Sequence, residues 1–186
     1  MKRDSISIKI LKGLLVAGTI CLAASSPYFI FHLSRNLSRA LKTGRFNRQK
    51  DPGFDNAFYY LKRKGYLNIK KSNRQIYISL TPAGRKRAKK YLIDDLKISK
   101  AKVWDGTWRM VIFDIPNIHY LKREAFRGKL KELGFYKLQQ SVWVYPYECR
   151  KEIELLRKFF GLSSRELILT NSKIDNDNYL RKFFGI

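Results

Sequence analysis

The stretch WRMVIFDIP, Trp108–Pro116, decides how this chain is read. Six aromatic, aliphatic or long side chains run together, an aspartate ends them, and a proline follows two residues later. A short run of this kind, bounded by turn-forming residues, predicts a strand with much of its surface buried. Trp108 and Met110 lie on one parity and Arg109, Val111 and Phe113 on the other. Successive strand side chains point to opposite faces, so both faces of this strand need partial cover. Asp114 is the odd residue: an acid closing a strand in a chain with 39 Lys and Arg against 15 Asp and Glu.

Downstream, the pattern is regular. HYLKREAFRGKLKELG predicts an amphipathic helix with Leu121, Ala125, Leu130 and Leu133 toward the core and Gly134 as its stop. FYKL and VWVYP predict strands joined by QQS. CRKEIELLRKFFG predicts a second helix burying Ile153, Leu156, Phe159 and Phe160, and RELILT a last strand. The order βαββαβ is the split βαβ, or ferredoxin-like, arrangement, an antiparallel sheet with two helices on one face. Cover for the second face is expected from another copy of the chain, hence a homodimer. SKIDNDNYLRKFFGI remains as a tail.

Upstream, DDLKISKAKVWDGTW forms a charged connector. Before it, FDNAFYYLKRKG repeats apolar residues at helical spacing (Phe54, Ala57, Phe58, Leu61) and stops at Gly65. YLNIKKSNRQIYISL alternates twice around KSNR, the pattern of a hairpin. Thr81-Pro82 then supplies a cap and first-turn proline for a helix carrying Arg85, Lys86, Arg87, Lys89 and Lys90. Farther upstream, Ile10, Leu14, Leu15, Ala17, Ile20 and Cys21 read as one face of a core helix, and Phe31, Leu33, Leu37 and Leu41 as a face of another, begun by Pro27. Helix, helix, helix, hairpin, helix is the order of a winged helix-turn-helix. The expected fold class is therefore α+β, with a winged helix-turn-helix over residues 1–93, a linker over 94–107, a ferredoxin-like dimerisation domain over 108–172 and a tail over 173–186.

Charge divides along the same boundary. The formal net charge is +24; residues 1–100 hold 23 basic and 5 acidic groups, and residues 101–186 hold 16 and 10. The amino-terminal half is the expected polyanion-binding half, with double-stranded DNA as the commonest partner for such a unit and an anionic membrane surface as its rival. In a winged helix-turn-helix the groove-facing positions would be Asp55, Asn56, Tyr59, Tyr60 and Arg63, and the phosphate contacts Arg63, Lys64, Lys70, Lys71 and Arg74. Asn56 and Arg63 carry groups that can read base edges, whereas Asp55 repels phosphate. The apolar run GLLVAGTICLAASSPYFIF, residues 13–31, leaves two readings open: a core helix, which fits a cytoplasmic protein, or a segment anchoring the chain in a membrane. Cys21 and Cys149 form no CxxC or Cys/His cluster and are expected to be reduced, structural thiols; His32 and His119 stand alone.

WRMVIFDIP followed by KREAFRGKLKELGFYKLQQSVWVYP resembles the strand–helix–strand core of the CRISPR-associated endonuclease Cas-two family. With the upstream elements and GTWRMVIFDIP after the connector, residues 55–172 resemble the PaaX-type transcriptional repressors, which place a winged-helix head before a domain of that fold. The family's further carboxy-terminal domain has no counterpart here, so its effector is not carried over. The resemblance implies a dimeric, sequence-specific DNA-binding regulator that needs no cofactor. It also implies an alternative, a Mg²⁺-dependent nuclease or a non-cleaving DNA scaffold. In the nuclease family the acid at the end of the first strand can hold a divalent ion. Asp114 matches that position and Ser141 a serine motif. Read from its residues alone, Asp114 caps the turn into the next helix by bonding backbone N–H groups.

Overall fold

The computed structural model describes residues 6–23, 33 and 53–186, and these fall into two compact units divided between Asp95 and Leu96. In the amino-terminal unit, α1 (Ile6–Ala17) is followed by β1 (Thr19–Ala23). After the residues outside the description come α2 (Phe54–Arg63), β2 (Leu67–Ser72), β3 (Gln75–Leu80) and α3 (Pro82–Asp94). The three strands form an antiparallel sheet in the order β1-β3-β2.

The single helix expected over residues 10–21 is corrected here. It ends at Ala17, because Gly18 takes a left-handed φ of 73° and its N–H closes on the Leu14 carbonyl at 2.9 Å. Thr19 and Ile20, both β-branched, then pair with β3, so Ile20 and Leu22 enter the core from a strand while Cys21 is exposed on the other side. Among the described residues no helix is long and apolar enough to cross a membrane. The expected helix begun by Pro27, with Phe31, Leu37 and Leu41 on its face, lies outside the described residues; Leu33 is fully buried.

The core of this unit joins Ile10, Leu11 and Leu14 of α1, Phe54, Phe58 and Leu61 of α2, and Ile76, Ile78 and Leu80 of β3. Each such side chain contributes about 1.5–3 kcal/mol on full burial. Thr81 caps α3 as expected: its hydroxyl oxygen accepts from the Gly84 N–H at 3.0 Å and donates to the Gly65 carbonyl at 2.7 Å. Gly84 is required for space, since a Cβ there would stand 2.1 Å from the Tyr66 carbonyl oxygen.

The carboxy-terminal unit holds β4 (Trp108–Phe113), a 3-10 turn (Asn117–His119), α4 (Tyr120–Glu132), β5 (Tyr136–Gln139), β6 (Val142–Tyr145), α5 (Arg150–Phe160), β7 (Leu167–Ser172) and α6 (Asn178–Phe184). Its sheet is antiparallel throughout, in the order β5-β6-β4-β7. The first strand is thus flanked by the third and fourth, as the βαββαβ reading requires.

Two packing expectations are corrected. In α4 the buried stripe is Phe126, Leu130 and then Leu133, while Leu121 is 81% exposed and Ala125 is also exposed. The helix starts at Tyr120 after a 3-10 turn, which rotates Leu121 outward and turns Phe126 onto Phe113, ring centroids 4.9 Å apart. In α5, Ile153 and Leu156 are buried as expected, but Phe159 is exposed; Phe160 meets Phe126 edge-on at 5.5 Å.

Cover for the second sheet face comes from the same chain. Trp108 and Val144 pack with Leu180 of α6, flanked by Trp104, Ile174, Phe184 and Ile186. The Trp108 indole N–H donates to Asp177 at 2.9 Å, and Asp177 is also bound by Arg181 at 2.7 Å. The residues read as a tail therefore supply the apolar layer that the parity of β4 demands.

Candidate nucleic-acid interface

Helix α2 separates its residues into two opposed stripes. Phe54, Phe58 and Leu61 are buried, whereas Asn56, Tyr59, Tyr60 and Arg63, at spacings of three and four, share the other face. These four residues line one depression of about 350 Å³. Tyr59 is 59% exposed at its middle, and Tyr60 is half-buried with the Lys64 ammonium 6.0 Å from its ring. Asp55 sits in the first turn, where an acid favours the positive end of the helix dipole. It lies about 100° around the helix from Asn56.

The hairpin behind α2 turns at Asn73-Arg74, with Ser72 paired to Gln75. Both turn residues have positive φ, 47° and 58°, as a two-residue hairpin turn demands. Asparagine tolerates that backbone; arginine does so at a cost that glycine would avoid. Strand alternation sends Lys70 and Lys71 to opposite faces. Lys70 stands beside Tyr77 and, across β3, Cys21; Lys71 lies on the core side of the ribbon beyond Ile69, opposite Ile76. The sequence had grouped these two lysines; the ribbon separates them. Arg63, Lys70, Lys71 and Arg74 form no ion pair among the described residues.

At the end of β4, Asp114 is exposed, and its backbone N–H donates to the Glu166 carbonyl at 2.9 Å. Its carboxylate makes no hydrogen bond or ion pair among the described residues, so the expected turn-capping role is corrected. Ser141 lies in the turn between β5 and β6, its carbonyl accepting from the Phe113 N–H at 3.0 Å, next to Asp114 in the chain. No group of three or more potential metal ligands occurs among the described residues. A lone carboxylate of this kind suits a divalent ion only with oxygens from elsewhere.

The strongest electrostatic centre escaped the sequence reading. Arg109, 6% exposed, forks onto Asp105 through bonds of 2.7 and 2.6 Å and donates to the Thr107 and Pro146 carbonyls at 2.7 and 2.9 Å. These bonds tie the connector to β4 and to the chain just beyond β6. The guanidinium lowers the Asp105 carboxyl pKa to about 2. Burial pushes the neighbouring Cys149 thiol up to about 12, so it stays protonated and inert. The only sequence signal for Arg109 was a cation inside a strand with an acid four residues earlier.

No curated protein matches the chain. Residues 101–179 match the family model described as the PaaX protein central Cas2-like domain, a match that spans the four-stranded sheet, both of its helices and the start of α6. The match makes residues 101–179 a domain similar to the PaaX central domain and supports, broadly, a transcriptional regulator of that type.

Proposed function

We propose that the chain is a sequence-specific, double-stranded-DNA-binding regulator, acting as a homodimeric repressor with its amino-terminal unit on the DNA. The observation that carries this reading is the outward stripe Asn56, Tyr59, Tyr60 and Arg63 on α2, next in the chain to a hairpin tipped by an arginine with no ion pair among the described residues. A strand after the first helix that joins the hairpin sheet also supports a winged-helix arrangement. Arg74 adds to it: a charged residue held where glycine costs less points to a use for its side chain. Lys64, Lys70, Lys71 and Arg74 would contact phosphates, and the stripe, Arg63 included, would enter the major groove. Asn56, Tyr59 and Tyr60 would face base edges. Cytoplasmic location follows from this role.

The test is recovery of fragmented source-genome DNA by the purified chain at near-physiological salt, followed by sequencing. A few enriched sites sharing a motif support the reading. Uniform recovery contradicts sequence specificity.

A second reading rests on the unengaged Asp114 carboxylate: a Mg²⁺-dependent nuclease, or a scaffold that holds DNA without cutting it. Asp114 would supply one ligand to a metal shared with phosphate oxygens. Cleavage of DNA or RNA in Mg²⁺ or Mn²⁺ that disappears in Asp114→Ala would establish it. Intact substrates across both titrations would remove its catalytic form.

A further inference from the structure

The α2 stripe has two ends of different chemistry. Asn56 opens it and Arg63 closes it, both exposed, with Tyr59 between them. Asparagine presents one donor and one acceptor side by side, which matches adenine N7 and N6 in the major groove. Arginine presents a fork of donors, which matches guanine N7 and O6. Neither side chain has an ion pair or hydrogen bond within the described residues that would hold it away from a ligand. Seven residues separate them, so they lie on nearly the same helical azimuth, about 20° apart, and about 10.5 Å along the axis. A helix in the major groove crosses the base pairs at an angle, so positions seven apart on it reach base pairs about two steps apart.

We infer that α2 reads an adenine with Asn56 and a guanine with Arg63 about two base-pair steps away, Tyr59 filling the groove between them. This rests on the reading of α2 as the groove-entering helix and deepens it by naming the base edges recognised. The alternative use of Arg63, as one more phosphate contact, makes a different prediction. Losing a phosphate contact weakens binding to every sequence equally, whereas losing a base contact changes which sequences are preferred. Lysine separates the two uses, because it keeps the charge and loses the planar fork.

The experiment is selection from a random duplex library by the full chain, by Asn56→Ala and by Arg63→Lys, with far-UV circular dichroism to show that each folds. The wild type is expected to enrich a motif with an A·T and a G·C pair about two steps apart. Each is expected to be preferred by roughly 5- to 150-fold, the range of one good bidentate contact. Asn56→Ala should lose the adenine preference alone. Arg63→Lys should weaken the guanine preference alone, since lysine reaches guanine O6 and N7 without the planar fork, with affinity for unrelated duplex unchanged. A wild-type motif that both variants retain overturns the inference and leaves the regulator reading standing. So does an Arg63→Lys variant that weakens all sequences alike. A wild type that enriches no motif overturns the sequence-specific reading and this inference with it.

Discussion

The two units treat their cations and their sheets differently. In the carboxy-terminal unit five cations sit on acids close in the chain: Arg109 on Asp105, Arg127 on Glu124, Lys129 on Glu132, Arg157 on Glu154 and Arg181 on Asp177. Its sheet is covered on one face by α4 and α5 and on the other by α6 and Trp104. In the amino-terminal unit Lys12 pairs with Asp95, whereas Arg63, Lys70, Lys71 and Arg74 have no ion pair among the described residues, and Cys21 lies exposed on the outer side of the three-stranded sheet. Exposed ion pairs add little stability, so the contrast concerns where the field of the molecule points.

The first way to break this comparison is to reopen the covered sheet. Leu180 is fully buried against Trp108 and Val144, so Leu180→Ala should cost about 2–5 kcal/mol. All three tryptophans, Trp104, Trp108 and Trp143, lie in the carboxy-terminal unit, so their fluorescence reports on it alone. A red-shifted emission and an earlier urea midpoint are expected. An unchanged midpoint would mean that α6 is not part of that core.

The converse change strikes the other unit. In Gly84→Ala the new methyl meets the Tyr66 carbonyl, which must move, at a cost of about 1–3 kcal/mol. Helical circular dichroism should melt earlier while the tryptophan transition stays in place. Coincident shifts in both signals would show that the units do not unfold independently.

The smallest effect sharpens the account most finely. Arg74→Gly relieves the left-handed backbone at the hairpin tip and should stabilise the amino-terminal unit by about 0.5–1 kcal/mol. The same change should weaken DNA binding, giving opposite signs in urea denaturation and in a titration with duplex. A variant that gains stability and loses no affinity would show that Arg74 is only a turn residue.

Much of this was legible in the sequence, and the failures share a cause. The βαββαβ order came from period-two runs and glycine stops, which are local signals; the outward positions of α2 came from reading it as the helix before a hairpin, with Asp55 named beside Asn56, Tyr59, Tyr60 and Arg63. Leu121 and Phe126 were exchanged because both fit a helical period; where the helix starts decides between them, and the 3-10 turn that sets it has no clear motif. Residues 19–23 read as helix because apolar content outweighed Gly18 and two β-branched residues, and because their partner β3 lies more than 50 residues away. Apolar residues on both parities of β4 showed correctly that two faces needed cover. Parity cannot say who supplies it, and the answer was a helix from the same chain. Arg109 was hidden for a similar reason, since two of its four acceptors are backbone carbonyls.

The central claim is that the unpaired cations of the amino-terminal unit meet a phosphate backbone. The direct measurement is duplex affinity against salt for the wild type and for Lys70→Ala/Lys71→Ala/Arg74→Ala. Each phosphate contact contributes a slope of roughly −0.9 in log affinity against log salt, so loss of two or three should make the slope shallower by about 2 units or more. A triple variant with the wild-type slope would contradict the claim.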